Sequence, residues 1–556
     1  MPTLTIQLPD GIISQPTLDE FRERYAALQQ AILQQRTIKA LEQLGEFPRN
    51  LWIKILLHIS WRDLMAFRQY KIELGHAGLI DGSPEAPRRR RLEVLHKLQR
   101  SWRTPSFSIP VYGYLQHTYS VLSCGIMAQL VAADTIELSL LPSSLRGQLK
   151  PLLWKTITVP NVSNIMCFYV DPAQDLLVIQ DSMSEPTYHG RTHLRSLEMN
   201  GNKHPLARGS PFLGAPSRSV IVQGALLGFP YLCGMHVLNW RTGNAVWRMQ
   251  FDVAVDGCAF LDEGFLLVSE TDRLCVYRLN PHAPCDWQYA DRGSYVCSMH
   301  YPVLYDDITF RRTLIDQEAR SYRSQDNAPF HADPAVRNLF SLTMYVQKYS
   351  QAEHIFHILL PATTIYKCIR RVISRKVARD VAWENWGPMG TRMFEQPTGP
   401  SKTFVSSSVL ASQCLTTCRA REKERPHLIS IYETNPMLVT REARKHRVRE
   451  GKSKMIAQKI LYDLGPSNLT AEYLFKDVIT TSWPYRLVQV EVPHAVGDIV
   501  RTVLLEDSVL VQVIGNRQVH HTLGRGGAPI EDTPPCPRAL SVRPEEIDWL
   551  RKLTGE

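Results

Sequence analysis

A triplet of short apolar runs, each ended by a tight turn, recurs along the chain and constrains its fold more than any other feature. Cys167-Phe168-Tyr169-Val170, a turn through Asp171–Asp175, Leu176–Ile179 and then His193–Leu197 form one copy. Val220–Val222, Ala225–Leu227 and His236–Trp240 repeat that order, and Cys258–Leu261, Phe265–Val268 and Leu274–Leu279 repeat it again. Short runs rich in β-branched and aromatic residues, bounded by turn formers, are strands. Leu194 and Val237 lie 43 residues apart, and Val237 and Val276 lie 39 apart. A recurrence of about 40 residues with several strands per unit predicts blades stacked into a propeller, because one unit cannot bury its own faces. Val503–Val511 echoes residues 259–268 near the other end. In Arg241-Thr242-Gly243-Asn244, Gly243 is placed for the positive φ that a tight link between strands requires. Paired Gly-His and Trp-Asp signatures of a regular WD-repeat set are absent, so the length suits about six to eight irregular blades.

Composition narrows the class. The chain of 556 residues is 44% hydrophobic and 21% charged, which is globular. Its 64 basic and 54 acidic residues give a net charge of +10, which favours acidic partners but does not by itself indicate nucleic-acid binding. Eleven cysteines follow no framework spacing. An odd number in a long chain points to reduced thiols and a cytoplasmic or nuclear setting. No apolar run approaches the roughly 20 residues needed to span a bilayer, and Met1–Thr5 does not open a secretory signal, so no membrane partner is expected. Residues 309–336 and 366–400 are charged and short of alternating runs, and 441–459 is strongly basic. All three are expected as long insertions between strands.

The N-terminal region is helical in pattern. Thr17 and Glu20 make a capping box, and Leu18, Phe21, Tyr25, Leu28 and Ile32 form a helical stripe. A second pattern begins at Phe47-Pro48. Pro48 suits a first helical turn, Leu51, Ile55 and Ile59 recur at four-residue steps with Leu56 beside them, and Asp63 can cap a further helix opening at Leu64. Arg88–Trp102 then reads as a connector helix with Leu92, Leu95, Leu98 and Trp102 on one face.

Residues 47–64 resemble the front half of an F-box, the motif by which that family docks on the adaptor subunit of a cullin (SCF-type) ubiquitin ligase. The pattern is shortened, since Phe67-Arg68-Gln69 runs directly into Tyr70–Leu74. Further segments extend the resemblance over about residues 46–515 to fungal (basidiomycete-type) F-box proteins with a C-terminal propeller-like domain. They include Gln99–Arg103, Leu141–Gly147, Asn239–Gly243, Trp383–Pro388 and His427–Tyr432. The resemblance implies a substrate-recognition subunit, with Pro48, Leu51, Ile55, Leu56, Ile59, Asp63 and Leu64 binding the adaptor and the propeller binding a protein target. It implies no catalysis, cofactor or metal. The expected fold is mostly β with N-terminal α, a short helical F-box-like segment followed by an irregular β-propeller. The expected divisions are an N-terminal helix (1–45), the truncated motif (46–70), a connector helix (71–105), the propeller-like domain (106–520) and a tail (521–556). Two alternatives remain open: a stand-alone propeller scaffold with a decayed F-box, and a binder of phosphorylated or acidic partners through basic loops.

Other motifs fail on spacing. Gly451-Lys452-Ser453 has His446 where a phosphate-binding loop needs glycine. Cys414, Cys418 and His427 are too few ligands for a zinc site and read as strand residues. His354 and His357 fall on opposite faces of a strand. Gly524–Gly527 follows no strong strand and opens no helix. Arg88–Arg91 reads as a solvated helix start in preference to a nuclear import patch. The basic stretches 370–379, 419–425 and 441–459 would make one anion-binding surface only if they gathered in space.

Overall fold

The structure is a computed structural model that describes residues from 69 to 522, with breaks, the longest at 82–87, 104–110, 144–150, 183–189, 284–293, 318–329, 333–338 and 493–498. Among the described residues, strands form seven sheets of four or more strands, antiparallel except for the edge strand Asp380–Val381 of blade 4, arranged as the blades of a propeller. The three triplets read from the sequence are the first three strands of blades 2, 3 and 4, starting at Ile165, Ile221 and Gly257. Val503–Val511 spans a hairpin of blade 7, in which Leu504 pairs with Val509.

First strands of most neighbouring blades touch one another, so each blade runs outward from the ring axis. Blade 1 begins with Ser120–Ser123 and blade 7 with Ile499–Leu504, and Met127, Leu141 and Leu510 share one apolar cluster between them. The outermost strand of blade 7 is not its own sequel. Val111–Tyr114, from before blade 1, pairs antiparallel with Arg517–Thr522, with Val111 opposite His520. A backbone ladder therefore joins the two ends of the ring.

The tight links obey local chemistry. Gly243 has φ +80, and its N–H donates to the Asn239 carbonyl at 2.8 Å. A Cβ there would meet the Arg208 carbonyl oxygen at 2.8 Å. Asn239 Oδ1 accepts from the N–H groups of Arg241 (3.1 Å) and Thr242 (3.3 Å), which is the side-chain turn that Asn favours. Trp240 is wholly buried, donating to the Gly224 carbonyl at 3.0 Å.

The sequence reading of 309–336 as an irregular insertion needs correction. Ile308–Asp316 is the first strand of blade 5. A register shift between Phe310 and Arg312 breaks the alternation, and charged side chains at the inner edge hide the apolar pattern. Residues 366–400 likewise end in a blade strand, Arg392–Gln396. The rest of that stretch carries helix α2 (Ala362–Ile373) and the pair Trp383 and Trp386, whose rings meet edge-to-face with centroids 4.8 Å apart. The basic stretch 441–459 holds the end of helix α3 (Pro436–Lys445) and strand Ser453–Ala457, which with Ile460–Asp463 widens blade 6 to six strands.

Blades that touch at the axis diverge at the rim. Between blades 4 and 5 the gap is filled by Ile365, Cys368 and Ile369 of α2 and by Leu474, Phe475 and Ile479 of a strap, residues 464–484. Arg392 fastens that strap. Its buried guanidinium pairs with Asp463, donates to the carbonyls of Gly465 (2.8 Å) and Thr481 (3.2 Å), and lies 4.7 Å from the Tyr485 ring centroid.

Blades 5 and 6 share a buried polar cluster. His357 lies 3.0 Å from Ser341 Oγ through Nε2, 3.3 Å from Cys414 Sγ, and 3.3 Å from Thr343 Oγ1 through Nδ1. Burial pushes its imidazole down to about 3. An unfolded imidazole takes up its proton near pH 6.5, so between those values the unfolded chain binds more protons. Stability attributable to His357 is complete above about pH 6.5 and declines as pH falls toward 3. His357→Gln should flatten the loss of stability between neutral and acidic pH, read from urea midpoints across that range.

Candidate protein-interaction surface

Pro48, Leu51, Ile55, Leu56, Ile59, Asp63 and Leu64 lie outside the described residues. The described chain nearest to them is built into a clasp on blade 6. Tyr70 and Leu74 pack on Leu95 of helix α1 (Arg88–Arg103), and the Arg91 guanidinium lies 5.3 Å from the Tyr70 ring centroid. Glu73 pairs with Arg441 of α3 at 2.7 Å. Burial works to raise the Glu73 carboxyl, but Arg441 and Gln99 outweigh it and hold it below its usual value. Beneath lies a second, buried pair: Arg486 bonds Glu442 of α3 at 2.7 Å and the Trp102 carbonyl of α1 at 3.1 Å. Trp102 closes the contact against Leu415, Ile429 and Val492. Arg486 of blade 6, paired with Glu442 of α3, thus fixes the end of α1 against the ring through the Trp102 carbonyl.

Antiparallel order gives the ring two unlike ends. Links between second and third strands, and links between blades, share one end; in blade 1 the Val159 N–H donates to the Asp134 carbonyl there. Links between first and second strands and between third and fourth share the other, as the Leu197 N–H to Asp175 bond shows. At the first end, beside blades 4 and 5, side chains that normally seek burial face solvent. Val303 is 54% exposed, Tyr305 41%, Tyr473 53% and Tyr349 73%.

This corner is held from below. The Tyr305 N–H donates to the Leu474 carbonyl at 3.2 Å, and the Lys476 N–H to the Val303 carbonyl at 2.9 Å, so strap and interblade link form one surface. Tyr473 meets the His354 ring edge-on at 5.5 Å, and its hydroxyl lies 3.3 Å from Nδ1. The same His354 nitrogen is 3.3 Å from Glu395. Ile308 pairs with Lys348, which sets Tyr349 across from Asp307. Ion pairs Lys476–Asp306 (2.7 Å) and Lys348–Asp307 (3.0 Å) rim the rings. Aromatic residues on rigid backbone, ringed by charge, are the composition of a protein-docking site. Isolated exposed apolar side chains are ordinary, but three tyrosines and a valine in one corner are not isolated.

None of these residues stood out in the sequence, because the corner joins segments near 303, 349 and 473. The exposed, odd-looking tyrosines in loops were the one available signal. His354 and His357 do sit on opposite faces, one in this corner and the other in the core. Cys414 and Cys418 are buried on strand Gln413–Ala420, and His427 begins the next strand. Among the described residues no group of three or more His, Cys, Asp or Glu is placed to hold a metal ion. Of the basic stretches, residues 421–425, 449–451 and 458–459 lie outside the described residues. Arg419 ends its strand at the interblade end, Arg441 on α3 follows the opposite end, and Arg370–Arg379 flank blade 5.

No family model matches this chain, and no curated protein matches it. Solved structures similar to it include BamB from Moraxella catarrhalis (9% identity, 75% of this chain and 100% of that one, TM-score 0.33). The WD40 domain of SCAP from fission yeast is similar at 7% identity, 75% of this chain and 98% of that one, TM-score 0.35. The computationally designed Ika8 protein is similar at 8% identity, 74% and 98%, TM-score 0.33. The chain is a β-propeller protein by its own strand order.

Removing Arg486 would leave Glu442 charged and buried, a loss of about 3–5 kcal/mol by the usual cost of breaking such a pair. Arg486→Ala should therefore lower the urea midpoint strongly. Replacing both partners with apolar residues, Arg486→Met with Glu442→Leu, should recover much of the loss.

Proposed function

We propose that this chain is a substrate-recognition subunit of an SCF-type cullin ubiquitin ligase, acting in the cytoplasm or nucleus. Leu51, Ile55, Leu56, Ile59 and Leu64, with Pro48 and Asp63 shaping the helix starts, dock the adaptor, and the propeller presents the target. The aromatic corner around Tyr305 and Tyr473 is the observation that carries the target-binding half of the reading. The adaptor-binding half is supported by the F-box-like spacing from Pro48 to Leu64. The clasp of α1 on α3 supports a fixed orientation between the two halves, which ubiquitin transfer to a held target requires. The chain itself makes and breaks no bond. All seven described cysteines are free, in keeping with a reducing compartment.

Each docking side chain would contribute about 1.5–3 kcal/mol when fully buried. Leu56→Asp in the full chain should abolish co-purification of the ligase adaptor while leaving the melting temperature unchanged. Tyr305→Ala with Tyr473→Ala should leave adaptor binding intact and weaken capture of ubiquitinated targets at least about tenfold, since buried aromatic anchors carry about 2 kcal/mol or more. Adaptor retained by Leu56→Asp would sink the ligase reading. Wild type binding no adaptor, with corner-dependent partners still captured, would make the chain a stand-alone propeller scaffold.

A further inference from the structure

Helix α2 and the turn after it carry six cations and no acid. Lys367, Arg370, Arg371, Arg375, Lys376 and Arg379 fall within residues 362–379, a stretch that holds more than half of the chain's net charge of +10. The inward face is spent on the wedge between blades 4 and 5, where Ile365, Cys368, Ile369 and Val372 are buried. Lys367 and Arg370 stand on the opposite face with Ile373, which is 62% exposed. The turn Gly387–Gly390 docks alongside, since Thr364 donates to the Gly390 carbonyl at 2.7 Å, and it presents Met389, 79% exposed.

Helix-end electrostatics accounts for part of this. Cations in a last turn offset the negative end of the helix dipole, which covers Arg370 and Arg371. Arg371 also donates to the Asn385 carbonyl at 3.3 Å. The dipole does not account for Lys367, Lys376 or Arg379. Nor does it account for Arg375, which occupies the position after the C-cap with φ +56, where glycine is the usual residue. Among the described residues, none of the six forms an ion pair.

We infer that the outward face of α2, with its following turn and Met389, docks an acidic, amphipathic peptide segment of a partner protein. Charge complementarity names the acid, and the two exposed apolar side chains name the amphipathic character. A nucleic acid fits less well, because it needs rings on which bases stack. Here the rings turn inward: Tyr366 donates to Asp262, and Trp386 donates to the His300 carbonyl at 3.1 Å. The surface lies on the outer flank of blades 4 and 5, and it requires neither adaptor docking nor the aromatic corner.

The test is fluorescence anisotropy of the full chain with a labelled peptide of repeated Glu-Glu-Leu, alongside a labelled oligothymidylate. The peptide should bind, weaken as ionic strength rises, and weaken at least about tenfold in Lys367→Glu/Arg370→Glu/Lys376→Glu, as like charges across an interface repel. Lys367→Gln/Arg370→Gln/Lys376→Gln should lie between that variant and wild type, and Tyr305→Ala/Tyr473→Ala should bind as wild type does. Peptide binding unchanged by charge reversal overturns the inference. Oligothymidylate binding as tightly as the peptide, and lost with the same variant, overturns it in favour of nucleic acid.

Discussion

The ladder between Val111–Tyr114 and Arg517–Thr522 is the constraint on which the rest of the structure depends. Joining strands so distant in sequence costs loop-closure entropy, though that cost grows slowly with length. Once made, it holds blade 7 against blade 1, where Met127, Leu141 and Leu510 pack. The ring then sets every other requirement. First strands meet near the axis, so the rims diverge and leave wedges that apolar residues must fill. Between blades 4 and 5 the filling comes from α2 and the strap 464–484. Insertions that look like irregular sequence are thereby parts of the core.

Buried charges serve geometry here more than stability. The Arg392–Asp463 pair with its carbonyl partners holds the strap, and the Arg486–Glu442 pair holds α1 and α3 to blade 6. Pairs of this kind gain little over well-packed apolar residues, because desolvation offsets the attraction. Their directional bonds, however, allow one arrangement and penalise others. The strap's arrangement brings Tyr473 beside Tyr305, and the Arg486 bond to the Trp102 carbonyl holds α1 against blade 6. The strap beneath the proposed target surface and helix α1 are thus each held by a buried arginine.

Three blades were legible because their first three strands are short, apolar and separated by turns with little choice of conformation. Gly243, read as a positive-φ link, has φ +80. Ile308–Asp316 was not legible, since the shift at Phe310–Arg312 and the exposed Arg311 and Arg312 remove its period of two. Blade 1 and the outer strands were hidden for a similar reason. Leu152–Thr158 is mostly exposed, and strands at a sheet edge need no apolar alternation.

By itself the sequence determined that the chain is built of recurring β units, with the helix Arg88–Arg103 before them and cysteines that follow no framework. Those properties are written in local periods and turn residues, which need no distant partner to be read. Only the tertiary structure decided that the seven blades of the described residues close on a strand from before the first, and that Val303, Tyr305, Tyr349 and Tyr473 share one corner. Each of these joins residues far apart in the chain. Their meeting depends on how many blades fill the ring and where the insertions must pack, and no local pattern carries that information.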